Sequence, residues 1–258
     1  MRARTAPTGL ALLIRSPILF LTASFLLVGC APDPPPEIES GPSIAANPNE
    51  AAPQAALLSF EANEPVKTEI TVEAGGRSHR LTYPDTLDPS DGLPVVGLWP
   101  GVENRIRVTV EDRDMNRMTL GETLTYRPPP LPEDRTVFPP IEVTAADTAR
   151  MEPGFTMFNA RRLGFQGTSD QSFDQNFGLL IILDRTGEPV WYYRTNSRIS
   201  DFNVLPNGHI LYLTQDYRAV EIDLLGNEVT SWYAAGRPQG EAEGTPVETI
   251  TFHHDIEQ

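Results

Sequence analysis

Apolar and polar residues alternate along much of the chain with the period of two that is typical of half-buried β-strands. Ile70 and Val72 share one face of "EITVE", and the isoleucine and valines of "RIRVTV" do the same. Turn signals such as Gly75-Gly76 separate these runs. Short strands at regular spacing predict a small β-sandwich over residues 51–127.

The stretch "GLWPGVENRIRVTVEDRD" resembles the corner that enters a long strand in fibronectin type III domains. Asn104 stands where that family usually has a tyrosine whose hydroxyl pins the corner. His79 lies between Arg77 and Arg80, and we expect it to be an exposed strand residue. The simplest role for this domain is to support or space its neighbour.

Prolines dominate the next segment, "RPPPLPEDRTVFPP". Proline removes a main-chain donor and restricts the residue before it. We therefore expect a semi-rigid linker over residues 128–149.

A repeat follows the linker. Asp184-x-x-Gly187 and Asp223-x-x-Gly226 lie 39 residues apart, and a valine follows each glycine by three residues. A strand-rich repeat of about 40 residues is typical of β-propeller blades. The predicted fold is therefore all-β, a sandwich followed by the first blades of a propeller over 150–258, incomplete in this chain.

Two adjacent histidines depart from this repeat. Extending the alignment puts His253 and His254 in the places of Ile199 and Ser200, and departures from a repeat are where function is grafted. Neighbouring strand residues point to opposite faces, so one imidazole is expected to reach a cleft while the other packs. The alignment also predicts Leu-Pro-Asn-Gly directly after Gln258.

A metal site is a further possibility, because His253, Asp255 and Glu257 could share one strand face. Side chains two apart on a strand are separated by about 6.5–7 Å. A compact site would then need ligands from other strands, and metal-dependent hydrolysis stays open on this reasoning.

The first thirty residues have the pattern of an export signal. Arg2, Arg4 and Arg15 precede an apolar run, which predicts a signal peptide over 1–29. "LVGC" resembles the bacterial lipobox, so Cys30, the one cysteine of the chain, is expected to carry lipid. A Pro-rich tether over 30–50 and an outer-membrane anchor facing the periplasm follow from this expectation.

Charge narrows the choice of partners. The chain carries 35 acidic and 20 basic residues, a formal net charge of −15. Such a surface repels phosphate backbones, so nucleic acid is not an expected partner.

Together, "GFTMFN", the repeated units, "LPNGHIL" and "FHHD" make residues 50–258 similar to the bacterial arylsulfate sulfotransferases. The resemblance implies a six-bladed propeller that moves sulfate from one phenol to another without a nucleotide donor. In that family a histidine is transiently sulfated, and other histidines and an arginine surround the transferred group.

The resemblance makes His253 or His254 an acid/base or sulfuryl-binding residue. It places the nucleophilic histidine further along than this sequence extends, so the chain alone is expected to be inactive. It implies a phenolic sulfate donor, a phenol acceptor and no metal or cofactor, and a homodimer stays open. The alternative is a surface lipoprotein whose propeller only binds, since propellers host many functions.

Overall fold

The computed structural model describes residues 34–163 and 174–252, and nearly all regular structure within them is β-strand. Between residue 34 and the proline-rich segment the structure has eight strands. They are β1 (Ile38–Ala46), β2 (Ala56–Ala62), β3 (Lys67–Ala74), β4 (Arg77–Tyr83), β5 (Leu93–Val95), β6 (Asn104–Glu111), β7 (Arg117–Thr119) and β8 (Leu124–Tyr126). A short 3-10 turn at Pro89–Asp91 lies between β4 and β5.

These strands form a two-sheet sandwich. One sheet has the order β1-β2-β5, and the other has the order β4-β3-β6-β7 with β8 also paired to β6. Alternate residues of β3 and β6 are buried, as the sequence pattern predicts. Leu58 from one sheet and Ile70 and Ile106 from the other are fully buried in a common core. Burial of each such side chain contributes about 1.5–3 kcal/mol.

The sandwich begins earlier than the alternation indicates. The sequence predicts a tether over residues 30–50, but β1 occupies Ile38–Ala46 and pairs antiparallel with β2. None of the nine residues of β1 is fully buried. Main-chain pairing at a sheet edge holds this strand, so hydrophobic periodicity does not reveal it.

Asn104 holds the corner where a tyrosine is usual. Its side chain is fully buried. The amide oxygen accepts from the Trp99 main-chain N–H at 3.0 Å, and the amide nitrogen donates to the carbonyls of Trp99 and Val102, both at 3.0 Å. The short Asn104 side chain therefore fixes the corner through main-chain bonds to Trp99 and Val102, in place of the tyrosine hydroxyl.

The proline-rich segment has no strand between residues 128 and 149, all of which the structure describes. It is not isolated from the rest of the chain. Phe138 is buried against Phe177 and Tyr192 of the following sheet, with the Phe138 and Tyr192 rings 5.2 Å apart. Phe138 therefore anchors the segment to the following sheet, although residues 142–149 are exposed.

Eight further strands follow this segment within the described residues. They are β9 (Thr156–Ala160), β10 (Gly178–Leu183), β11 (Pro189–Thr195), β12 (Ile199–Val204), β13 (Ile210–Thr214), β14 (Arg218–Ile222), β15 (Glu228–Ala234) and β16 (Thr245–Val247). One sheet has the order β11-β10-β9, and the other has the order β12-β13-β14-β15-β16.

The second of these sheets has the form of a propeller blade. Strands β12 to β15 form an antiparallel meander, and β16 adds to β15 in parallel. Four-stranded meanders set side by side are the units of propellers. The predicted all-β class, a sandwich followed by propeller-type sheets, is confirmed, and the sheets within the described residues do not close a ring.

The repeated Asp-x-x-Gly segments fold alike. Each aspartate accepts hydrogen bonds from main-chain N–H groups two and four residues later, at 2.8 and 3.1 Å for Asp184 and at 2.9 and 2.9 Å for Asp223. Gly187 and Gly226 have φ values of 85° and 82°, a region that glycine adopts without steric cost. The 39-residue offset therefore relates equivalent turns in two sheets.

The sandwich and the propeller-type sheets share their cores. Val190 of β11 is fully buried within the sandwich core. Ala52, Ala55 and Val96 of the sandwich are buried with Trp191 in the core of the following sheets. The two parts are therefore packed together by apolar contacts as well as joined through the chain.

Candidate functional site

The predicted site residues lie outside the described residues. These are His253, His254 and Cys30, together with Asp255 and Glu257 of the possible metal site. The last described residue is Phe252, which is bonded to His253. The chemistry near the histidine pair must therefore be judged from the residues that lead up to it.

The residues that line a cavity together with Phe252 lie at one edge of the two propeller-type sheets, where strands end. Strands β9, β11, β13 and β15 all end at this edge because the strands alternate in direction. Arg161 follows β9, Arg198 lies between β11 and β12, and the turn Thr214–Arg218 joins β13 to β14. The repeated aspartate turns lie at the opposite edge, where Asp184 accepts a hydrogen bond from Trp99 Nε1 of the sandwich at 2.9 Å.

A cavity of about 110 Å³ opens at this edge. A single water needs about 10–15 Å³, so the space suits a group several times larger. Its lining combines two guanidinium groups with neutral polar and aromatic side chains. They are Arg161, Arg198, Ser200, Thr214, Gln215, Tyr217 and Phe252.

Main-chain and side-chain contacts hold both arginines in place. Arg161 donates from Nη2 to the Ser200 carbonyl at 2.8 Å. Arg198 donates to the side-chain oxygen of Gln215. The Arg198 carbonyl also accepts from the Gln215 main-chain N–H at 2.8 Å. Burial lowers the pKa of the Arg198 guanidinium, and the charge of Arg161 lowers it further.

The hydroxyl groups of the cavity are directed at the main chain. Ser200 Oγ donates to the Leu213 carbonyl at 3.2 Å, and Thr214 Oγ1 accepts from the Arg218 main-chain N–H at 3.1 Å. Both hydroxyls are therefore engaged by the protein itself.

Tyr217 has a main-chain conformation that is rare for a large side chain. Its φ is 62°, in the left-handed region, at the end of the tight turn that lines the cavity. Outliers of this kind cost about 1–3 kcal/mol and cluster at functional sites. Tyr217 therefore lines the cavity from a turn that carries a local main-chain cost.

An ion pair with a buried arginine supports the same turn. Asp216 accepts from Ser197 Oγ at 2.9 Å and lies 3.3 Å from Arg237 Nη2. Burial alone would raise the Asp216 pKa, but bonds from Thr214 and Ser197 and the charge of Arg237 lower it on balance. The Arg237 side chain is only 7% exposed.

Arg198 and Arg237 lie 39 residues apart, the offset that relates the aspartate turns. Each comes three residues after its strand, β11 or β15, has ended. The repeat therefore places an arginine at the same edge of successive units. Sequence reasoning missed Arg161 and Arg198, although the shared offset could have drawn attention to the second.

His79 lies in a second cavity, of about 500 Å³, between the sandwich and the first propeller-type sheet. It was expected to be exposed, but its ring packs edge-on against Trp99 at 5.4 Å and Phe155 at 5.1 Å. Its Nε2 lies 3.2 Å from the Val96 carbonyl, which can only accept, so this nitrogen carries the proton. Burial lowers the pKa of the imidazole, against the hydrogen bond with Val96 and the charge of Asp184.

Neither a metal cluster nor a membrane span stands out in the described part of the chain. Residues 34–163 and 174–252 contain no group of three or more His, Cys, Asp or Glu side chains placed to hold an ion. They also contain no helix long and apolar enough to cross a membrane.

Two family models match the chain in succession. Residues 43–127 match the arylsulfotransferase Ig-like domain, and residues 141–258 match the arylsulfotransferase (ASST) domain. The first match covers most of the sandwich, and the second covers both propeller-type sheets. No curated protein matches the chain.

Proposed function

Because the chain belongs to the arylsulfotransferase family, we propose that it transfers a sulfuryl group from an aryl sulfate to a phenol. The observation that carries the proposal is the cavity with two guanidinium groups that is walled by Phe252, the residue bonded to His253. Sulfate esters are anionic, and cationic side chains held in one cavity suit their binding and transfer.

The proposed reaction has two steps through a sulfated histidine. A nucleophilic imidazole nitrogen attacks sulfur while the bond from sulfur to the phenolic oxygen breaks. The departing oxygen takes a proton from a second imidazole. The acceptor phenol then loses a proton to that imidazole, attacks sulfur and displaces the nucleophile, which restores both histidines.

We assign the acid/base role to one member of the His253–His254 pair and assign the nucleophile to another histidine of the full-length protein. The charge that develops on the sulfuryl oxygens calls for cationic donors held in place beforehand, as in phosphoryl transfer. This chemistry uses imidazole and guanidinium groups and requires no metal or cofactor.

Replacement of the two histidines tests this assignment. We expect His253→Ala or His254→Ala, but not both, to lower transfer from p-nitrophenyl sulfate to phenol by about 10²–10⁴-fold, the range for a positioned acid or base. The other variant should change thermal stability more than turnover. Full activity in both variants, at matched folding, would reject the acid/base role of the pair.

We also propose that the protein is exported and held at the outer membrane by lipid on Cys30. Support comes from the basic start, the apolar run and the "LVGC" sequence. Cys30→Ser should then abolish lipid labelling and leave an unprocessed precursor in a Gram-negative host. Equal labelling of the variant and the wild type would rule the anchor out.

A further inference from the structure

We propose that His79 is a pH-sensitive latch on the cavity between the sandwich and the first propeller-type sheet. When the imidazole takes up a second proton, Phe155 leaves it, and the strap formed by residues 148–155 lifts off the cavity. The proposal does not depend on the transferase activity, because this cavity lies beside the aspartate turn at Asp184, at the edge opposite Phe252.

The strap lies on the surface and is held near its start and at its end. All eight of its residues are exposed, with Phe155 at 43%. Arg185 Nη2 donates to the carbonyls of Thr148 and Met151, at 3.1 Å for the second. The Phe155 ring packs edge-on against the His79 ring, with 5.1 Å between centroids. Exposed segments with few buried apolar contacts open at a low cost in free energy, so the strap can move while the sheets stay folded.

Gly154 gives the strap a hinge beside Phe155. Its φ is 129°, and a Cβ at this position would meet no atom within 4 Å. Glycine populates both signs of φ, so main-chain rotation here meets little steric resistance. Phe155 can therefore swing outward without displacing β9, which begins at Thr156.

Neighbours from the sandwich fix the imidazole of His79. Trp99 is only 2% exposed and packs edge-on against it at 5.4 Å. Gly97 lies directly beside the ring, because a Cβ at that position would approach Nε2 to 2.5 Å. Nε2 also donates to the Val96 carbonyl at 3.2 Å. Movement of Phe155, the exposed neighbour, is therefore the way to relieve a change at the imidazole.

A second proton on His79 has no acceptor while the strap is closed. Since Nε2 carries the first proton, the second must bind at Nδ1, which is buried and has no hydrogen-bond partner among the described residues. A buried charged donor without a partner is costly. Burial lowers the pKa of the imidazole accordingly. Displacement of Phe155 admits water to Nδ1, so the imidazolium regains its hydration.

The segments packed against His79 carry charges of both signs. These are Arg77 and Arg80 on β4, Asp184, Arg185 and Glu188 in the aspartate turn, and Arg150 and Glu152 in the strap. Asp184 favours the charged imidazole, but burial outweighs it. Arg77 lies 3.6 Å from Asp184 and weakens that attraction. The closed protein therefore holds His79 neutral at pH 7.5.

The pH dependence follows from the two states of the latch. A hydrated imidazole under the open strap has a pKa of about 6.5, and burial lowers the pKa in the closed state. Above pH 6.5 His79 is neutral in both states, so opening does not depend on pH. Below pH 6.5 the ratio of open to closed protein should rise by up to about tenfold per pH unit, until the pH reaches the lowered pKa of the closed state.

Fluorine NMR tests the latch in the full-length protein. Phe155 is replaced by 4-fluorophenylalanine through site-specific incorporation, which gives a single fluorine signal. We expect a closed signal at pH 7.5 and growth of a solvent-like signal, as defined in urea, by pH 5. Circular dichroism of the same samples should show intact sheets, because the opening is local.

Two variants of the labelled protein identify the titrating group. His79→Phe keeps a ring at the contact but takes up no proton, so its signal should stay closed at both pH values. His209→Gln is the matched control, since it removes a histidine of the second sheet that lies 2.6 Å from Glu221. The pH response of this control should equal that of the labelled protein with both histidines.

The outcomes decide the proposal in either direction. A closed signal that persists until the sheets themselves unfold would overturn the latch, as would a solvent-like signal already present at pH 7.5. An unchanged pH response in His79→Phe would also overturn it, because another group would then control the strap. If His79→Phe does not fold, His79→Gln decides by the same measurement.

Discussion

At the scale of single residues, His79 shows how packing decides the state of a titratable group. The imidazole is enclosed by Trp99 and Phe155 and donates to the Val96 carbonyl. Burial lowers its pKa, so the folded protein binds this proton less tightly than the unfolded chain does. A model imidazole has a pKa of about 6.5. The contribution of neutral His79 to stability is therefore complete above about pH 6.5 and is lost as the pH falls through the lowered pKa of the folded state.

This linkage predicts a pH dependence that one substitution removes. From pH 7.5 to pH 5, the free energy of unfolding of the wild type should fall below pH 6.5, by at most about 1.4 kcal/mol per pH unit from this group. In His79→Gln that part of the decline should vanish, whatever the stability of the variant at pH 7.5. Parallel pH profiles for the two proteins, measured by urea denaturation, would contradict the account.

The same residue marks the limit of local sequence reasoning. Flanking arginines favoured an exposed position for His79, because the pattern within β4 shows only its immediate neighbours. Phe155 comes from 76 residues further along the chain and covers the ring. Asn104 is the opposite case, because the sequence did draw attention to it. Its departure from the fibronectin pattern was visible in the sequence, but its three bonds to the corner were not.

At the scale of elements, the aspartate turn was predictable because its chemistry is local. An aspartate that bonds to main-chain N–H groups and a glycine that accepts positive φ suffice to define it. The sequence therefore predicted the equivalence of the turns at Asp184 and Asp223. It did not predict β1, whose pairing depends on the edge of β2, or the parallel addition of β16 to β15.

The two turns differ in what they contact, and this difference is measurable. Asp184 accepts from Trp99 Nε1 at 2.9 Å and lies 3.6 Å from Arg77, and its side chain is 9% exposed. Asp223 makes the same bonds within its turn, and Asn227 Nδ2 donates to it at 2.9 Å. Asp184→Ala would leave the buried indole N–H of Trp99 without an acceptor.

We therefore expect Asp184→Ala to lose about 1–3 kcal/mol more stability than Asp223→Ala, the cost of one buried unpaired polar group. The second variant is the matched control, since it removes the same turn bonds. Chemical denaturation of both variants at pH 7.5 measures the difference. Equal losses would mean that the contact with the sandwich contributes little.

At the scale of the whole molecule, the predicted linker does not separate two independent bodies. Val190 lies in the sandwich core, and Val96 lies in the core of the following sheets. Sequence composition marks where regular structure stops, as it does over residues 128–149. It does not show which apolar faces meet, because burial is decided between segments that are far apart in the chain.

The candidate site likewise consists of residues that the sequence predicted and residues that only the folded structure brought together. The repeat and the family resemblance drew attention to His253 and His254 from sequence alone. The cavity that Arg161 and Arg198 line became visible only when β9, β11 and β13 were seen to end together. A cavity with two cations is a property of the folded sheets. The 39-residue offset between Arg198 and Arg237 was visible in the sequence, but Arg161 belongs to no such pattern.

The fate of the sulfuryl group distinguishes a transferase from a hydrolase and from a protein that only binds. The full-length protein is incubated with p-nitrophenyl sulfate and phenol, and phenyl sulfate and free sulfate are both quantified against the released p-nitrophenol. The account predicts phenyl sulfate in amounts that match the p-nitrophenol and depend on added phenol, with activity unaffected by a metal chelator. Release of free sulfate without phenyl sulfate, or no turnover of the ester at all, would contradict it.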